Sequence, residues 1–519
     1  MRALELSRPA CVAVVAFLFS VCPAGGAASA FVRGDVDQSG GVDLSDPINV
    51  LLYLFAGDET AQACLSAADV NDSGAVNLAD ALYALNYLFA GGPPPPPPFP
   101  ECGADPTPDD LSCLMFEPCG TPGHGELLRG KARNINPAVD PDDLAAVVRG
   151  MTEFACDLYK QIDSRDGNLF FSPYSVSVAL AMLYAGARGR TETEMARALH
   201  FAVPQERLHP AFNALDLALA SRGEGAQGRD GEGFRLNIAN GLWCQYDYSF
   251  LQSYLDVVGE NYGAGVRLLD FKTAPEPSRR IINEWVAKKT EGRIRDLLPQ
   301  GSITNLTRLV ITNAVYFNAA WKTPFDPDST RDGAFHLLDG STVTVPLMSG
   351  RLDCGVARGA EYTAVELPYD GDELSMIIIV PAPGTFKEFE FSLGADRLQG
   401  IVESIRASEV ILTMPKFTFR RKLDLKGALS ALGMSSAFVP NEADFSGIDG
   451  TRSLFVSDVV HQAFCLVDEA GTEAAAATGV VVGLTSVPPE IRIDRPFVFF
   501  IRDKPTGAII FFGRVLDPR

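Results

Sequence analysis

Two stretches of this chain carry residue types at spacings that do chemistry. In the first, Asp35, Asp37, Ser39, Asp43 and Asp46 place side-chain oxygens at positions one, three, five, nine and twelve of a loop. Asp69, Asn71, Ser73, Asn77 and Asp80 repeat the pattern 34 residues later. Glycine holds position six both times, as Gly40 and Gly74, and position seven, Gly41 or Ala75, offers a backbone carbonyl. A hard divalent cation collects about six to eight oxygens around a sharp turn, so Ca2+ is the ligand expected at both loops. One such match would pass as an ordinary acidic turn. Two copies in one register, each running into an apolar helix, favour two structural calcium sites. Serine at position five replaces a possible carboxylate, which points to modest affinity.

The second stretch, residues 468–490, reads DEAGTEAAAATGVVVGLTSVPPE. Gly471 and Gly479 free the backbone at either end of a run of small residues, and Pro488-Pro489 stops any regular element. Alanine propensity favours a short surface helix over 473–478. The alternative is a latent strand in which Thr472, Ala474, Ala476, Thr478, Val480 and Val482 share one face, because side chains alternate. The only charge between Thr472 and Ser486 is then Glu473, on the opposite face. Such a segment suits insertion into a sheet as an added strand. Against hydrolytic chemistry, no GxSxG, HExxH or clustered set of ligands appears among the five histidines, His124, His200, His209, His336 and His461.

This second stretch resembles the reactive-centre loop of inhibitory serpins. The hinge, Glu469, Gly471, Thr472, Glu473, Ala474, Ala475, Ala476, Ala477 and Thr478, matches the inhibitory pattern residue by residue. Further motifs in family order are NLFFSPYSVSVALAMLYAGARGRTETEM (168–195), TNAVYFNAAWKTPF (312–325), MPKF (414–417) and RPFVFFIRDKPTGAIIFFGRV (495–515). The resemblance covers about 140–519. It implies an α+β serpin fold, with a large central sheet, helices and an exposed reactive-centre loop, and a monomeric domain. By position, Ser172, Ser175, Asn313 and His461 correspond to the region beneath the sheet where its strands part. Trp321 corresponds to the top of that opening, and Lys416 with Glu469 to a surface ion pair at the base of the loop. His461 is read as a hydrogen-bonded latch without a catalytic role.

The implied activity is suicide inhibition rather than enzymatic turnover. Counted as in the family, the reactive bond joins Thr485 to Ser486. Threonine before the cut suits elastase-like or subtilisin-like serine proteases; Leu484 in the preceding position suits a papain-like cysteine protease instead. A shift of one residue would cut after Leu484 and favour a chymotrypsin-like enzyme. The rival readings are a non-inhibitory serpin acting as a binding or storage protein, which would carry charged, bulky or proline residues in the hinge, and a scaffold-docked hydrolase.

The elements that must position these residues occupy a chain of 519 residues with 47% hydrophobic content, enough for one large domain and a smaller one. A net charge of -21 disfavours nucleic acid and anionic membrane as partners. Residues 1–30 combine Arg2 and Arg8, an apolar run over 10–22 and a small-residue end. That is the pattern of a secretory signal peptide cleaved before Phe31, so the protein is expected outside the cell or in its envelope. The apolar run is shorter than the roughly 20 residues a membrane span needs. No other transmembrane candidate follows.

Residues 31–92, with aspartate at position twelve of each loop, resemble dockerin modules, small all-α domains of two loop-helix repeats. That resemblance implies a cohesin-like or other surface docking partner, with a self-contained calcium module as an equal alternative. GGPPPPPPFP at 91–100 reads as a stiff polyproline linker, and 101–136, rich in glycine, proline and cysteine, either continues it or caps the small module; the linker is assigned to 93–139. Cys64, Cys102, Cys113 and Cys119 suit disulfides whose pairing is not readable from sequence, whereas Cys156, Cys244, Cys354 and Cys465 read as buried thiols. Asp140-Pro141 opens a helix with Leu144, Val147, Val148, Met151, Phe154, Leu158 and Ile162 on one face. Strand-like runs lie at 374–380, 410–414, 497–501 and 508–512.

Overall fold

The computed structural model describes residues 30–519 apart from 40, 57–60, 62–63, 104, 108, 110, 112, 114–115, 117–123, 163–166, 224–225, 227–234 and 473–487. The leader expected over 1–30 therefore lies outside the described residues except for Ala30. So do Gly40, Cys119, the hinge from Glu473 to Thr478, and Thr485 with Ser486. The chain divides into two compact units, 1–119 and 120–519.

In the first unit, helices α1 (Ser45–Ala56) and α3 (Leu78–Ala90) follow the repeated loops, and the short α2 (Leu65–Ala68) leads into the second. The last loop positions start the helices. Asn77 caps α3 by accepting from the Ala79 N–H, and the Asp80 carboxylate accepts from the Asn77 N–H, a capping box. Val50, Ala81 and Ala84 turn inward, and Val50 and Ala81 share a small core with Val36, Ala61 and Ala68.

The proline-rich stretch does not span freely. Pro95 and Pro98 are buried, the Pro98 carbonyl accepts from the Arg33 N–H at 2.6 Å, and Phe31 and Gly103 exchange backbone hydrogen bonds. A Cys64–Cys113 disulfide closes the flank onto the start of α2, and Cys102 is disulfide-bonded as well. Prolines lack donors, but their carbonyls and apolar rings pack well against a module that supplies donors, which composition alone does not reveal.

The second unit holds a seven-stranded and a nine-stranded sheet. The first contains β1 (His124–Leu128), β2 (Arg235–Gln245), β3 (Val266–Leu269), β4 (Leu309–Ala320), β5 (Phe417–Asp424), β6 (Asp458–Val467) and β7 (Gly471–Thr472). Its order is β1-β3-β2-β4-β7-β6-β5, with β4 and β6 also paired directly. Strand β1 places 124–128 in this unit, inside the stretch assigned to the linker. The nine-stranded sheet includes Leu374–Pro381, Arg406–Pro415, Phe497–Asp503 and Ile509–Val515, the four apolar runs of the sequence.

Helix α4 (Pro141–Gln161) starts where expected, capped by Asp140 accepting from the Asp142 N–H at 3.0 Å. Val147, Val148, Met151, Phe154, Leu158 and Ile162 are buried. Helix α5 (Pro173–Tyr184) is buried along its whole length, and Ser172 caps it. Cys156, Cys244, Cys354 and Cys465 are buried and outside any disulfide. Among the described residues, no helix is long and apolar enough to cross a membrane.

Candidate functional site

Strands β4 and β6 run side by side in one half of their length and part in the other. They pair in parallel from Val310 opposite Asp458 to Val315 opposite Ala463. Beyond that point β7 lies between them, antiparallel to both: Gly471 and Thr472 face Ala320 and Ala319, and Thr472 also faces Val467. Gly471 and Thr472 of the hinge thus already occupy the mouth of a gap. Gly471 is required there by close approach, because at φ +155° a Cβ would stand 2.2 Å from the Ala319 carbonyl oxygen. Thr472 is 1% exposed, and its hydroxyl is 2.9 Å from the Tyr369 hydroxyl. The even-numbered hinge face therefore begins pointing into the core.

Side chains from four elements fasten this mouth. Trp321, at the end of β4, donates from Nε1 to the Asp468 carbonyl at 3.0 Å and from its backbone N–H to the Ala470 carbonyl at 2.9 Å. Its ring stacks on Tyr369 at 4.7 Å. Glu469 accepts from the Thr330 hydroxyl at 2.6 Å and pairs with Lys416 Nζ at 2.7 Å. Burial raises the Glu469 carboxyl, but Lys416 and Thr330 outweigh it and hold the group below its ordinary range. With Glu469 9% exposed at its side chain, this is a half-buried clasp rather than the surface pair expected.

Under the point where the strands join sits the other predicted group. The Ser172 N–H donates to His461 Nε2 at 3.0 Å, which leaves Nδ1 as the protonated nitrogen facing the Asn313 side-chain oxygen. Asn313 Nδ2 donates to the Ser175 hydroxyl at 2.6 Å, and Ser172 Oγ donates to the Ile510 carbonyl at 2.7 Å. All four residues are buried. Burial pushes the His461 imidazole down to about 3, so it stays neutral. Every lone pair and proton of this ring is committed to a neighbour, the state of a latch. The network connects α5, β4 and β6.

Sequence reasoning missed Asn240, directly across from Asn313 on β2, which takes the Ser175 hydroxyl at 3.1 Å and Asn313 Nδ2 at 2.5 Å. The available signal was an asparagine inside an apolar strand. Tyr369 and Thr330 were also missed. Both lie far along the chain from the residues they meet, and no local pattern marks them.

The predicted loops of the first unit fold alike. Asp46 accepts from the N–H groups of Val36, Asp37 and Asp43, and Asp80 from those of Asn71 and Asn77. The Ser39 and Ser73 hydroxyls donate to the carbonyls of Gly41 and Ala75. Asp35, Asp37 and Asp46 bring carboxylate oxygens within 4.8 Å of one another, whereas at the second loop the converging set is Asp69, Asp72 and Asp109. Burial pushes Asp46 up to about 7 and Asp80 up to about 6. Asn71 Oδ1 is shut from solvent with no donor. A converging set of carboxylate oxygens, with an orphaned oxygen at ligand position three of the same loop, fits a hard cation.

Strands β4 and β6 are joined over one half, parted over the other with Gly471 and Thr472 between them, and underlain by a buried hydrogen-bonded network. The sequence pattern described as serpin (serine protease inhibitor) matches residues 149–518. An uncharacterized serpin-like protein of Thermococcus kodakarensis is 41% identical over 379 residues, 72% of this chain and 86% of the relative. The leukocyte elastase inhibitor of Equus caballus is 37% identical over 380 residues, 71% of this chain and 98% of the inhibitor. The crystal structure of the thermophilic serpin tengpin in the native state superposes with a TM-score of 0.66 at 25% identity, covering 75% of this chain and 97% of tengpin. This chain belongs to the serpin family.

Proposed function

We propose that the chain is an exported suicide-substrate inhibitor of proteases. A target serine protease attacks the Thr485 carbonyl, the amine of Ser486 leaves, and an acyl-enzyme ester forms. The freed hinge then slides between β4 and β6 and carries the protease away before water deacylates it. The observation that carries this reading is β7: Gly471 and Thr472 lie between the two strands, antiparallel to both. Extending β7 exchanges one parallel ladder for two antiparallel ones, which are somewhat more stable per residue. Thr472 sets the parity that sends Ala474, Ala476, Thr478, Val480 and Val482 inward, all small or apolar. The matched relatives named as elastase inhibitors support the same direction. The small Thr485 favours elastase-like or subtilisin-like targets.

Incubation with a protease panel tests this reading. A heat-stable covalent adduct on a denaturing gel, with release of the peptide beginning at Ser486, is the expected result. Cleavage with turnover and no adduct would favour the non-inhibitory alternative.

For the first unit, we infer two structural calcium ions held by the two loops, in a dockerin-type module that docks to a cohesin-like or other surface partner. Calcium would supply the charge that allows buried aspartates to stay ionised. Asp46 and Asp80 orient the loop backbone around each cation. Isothermal titration with CaCl2 should give two sites per chain, and no heat with no folding change would remove the assignment.

A further inference from the structure

Resting on the calcium reading above, we propose that the second site takes a ligand from outside its loop, the carboxylate of Asp109. The two loops are unequal in charge. The first presents Asp35, Asp37, Asp43 and Asp46, whereas the second has Asn71 and Asn77 at positions three and nine and keeps only Asp69 and Asp80. Ligand charge largely sets calcium affinity, so the second loop is short of carboxylates.

The flank supplies one. A carboxylate oxygen of Asp109 lies within 4.8 Å of oxygens of Asp69 and Asp72. Its Oδ1 accepts from the Leu111 N–H at 2.8 Å, while Oδ2 is closed off from solvent and meets no donor. Asn71 Oδ1, from ligand position three, is orphaned in the same way.

The neighbouring charges do not satisfy these atoms. Arg33, fully buried, spends its guanidinium on Asp72 and Asp105, each at 2.8 Å, and on the carbonyls of Ser66, Asp69 and Pro97. Asp72 also takes the Thr107 hydroxyl at 2.7 Å. Asp69 accepts from the N–H groups of Ser73 and Gly74 at 2.9 and 2.7 Å and from the Ser73 hydroxyl at 3.3 Å. Asn71 Oδ1 on the loop and Asp109 Oδ2 on the flank, with Asp105 Oδ2 also on the flank, meet no donor and remain for a cation.

The covalent frame aims Asp109. It sits between Asp105, held by Arg33, and Cys113, bonded to Cys64 at the start of the helix that feeds Asp69. A Cβ on Gly74 would be 3.6 Å from the Asp109 Cβ, so the flank lies directly on the loop turn. A cation in this site closes the ring by tying flank to loop, and among the described residues the first site's carboxylate set, Asp35, Asp37 and Asp46, comes from its loop alone.

The test is calcium calorimetry on the full chain, with terbium luminescence lifetimes to count water on the bound ion. Asp109→Asn keeps the Leu111 contact and removes the charge. It should weaken one of two sites about tenfold and leave the other unchanged. It should also add about one water to the terbium at that site, which a merely structural role would not do. Asp37→Asn should weaken the other site. If wild type binds two calcium ions and Asp109→Asn changes neither affinity nor hydration, the proposal is overturned while the calcium reading stands. Equal loss at both sites overturns it too. A wild type that binds no calcium removes the underlying reading itself.

Discussion

At the scale of single residues, the account turns on groups whose protons and contacts are fully committed. His461 is neutral because burial holds it down to about 3, and His209, also held to about 3 by burial and then by Arg188, is neutral too, although of its two ring nitrogens only Nδ1 is partnered, by the Tyr262 hydroxyl. An unfolded histidine titrates near 6.5, so between pH 6.5 and about 3 the unfolded chain binds protons that the folded chain refuses. Stability from these two groups is complete above pH 6.5 and falls as pH drops, by about 1.4 kcal/mol per pH unit for each. Urea midpoints measured from pH 7.5 to 4.5 should decline, and His461→Gln should decline less steeply. A slope identical to wild type would contradict the neutral latch. Lys416→Met leaves Glu469 nearly buried with Thr330 as its remaining side-chain partner, and should cost about 1–3 kcal/mol in the same assay.

At the scale of elements, the hinge strand is the sensitive part. Thr472→Arg would force a long cation into a site 1% exposed beside Tyr369. We expect it to turn inhibitor into substrate, read as cleavage at the reactive loop without adduct; undiminished adduct formation would refute insertion. Gly471→Ala sets a Cβ against the Ala319 carbonyl and should destabilise by about 1–3 kcal/mol in thermal melts.

Much of this level was legible in the chain. The Asp140 cap and helical spacing mark α4, the four apolar runs became strands of one sheet, and the small-residue parity of the hinge agrees with Thr472 pointing inward. What stayed hidden depends on long-range placement. Arg33 meets Asp105 across 72 positions, and Asn240 acquires its role only because β2 lies beside β4. The proline stretch read as a spacer because its lack of donors is visible in sequence, while the donors it packs against are not.

At the scale of the whole molecule, every strand of the seven-stranded sheet comes from 124–472 and every loop aspartate of the proposed calcium sites from 35–80. The proposed insertion therefore draws its sheet strands from the second unit alone, and chelation of calcium should leave the inhibition rate unchanged while altering the binding and stability of the first unit. A fall in inhibition rate on chelation would show the two to be coupled. In the proposed inhibition the driving force is the seam between β4 and β6, joined by a parallel ladder where a further strand would make two antiparallel ones. Its most direct test is the thermal midpoint of the protein before and after a single cut in the reactive loop. The cut protein should melt at a clearly higher temperature than the intact one. An unchanged or lower midpoint would mean that no strand had entered the sheet.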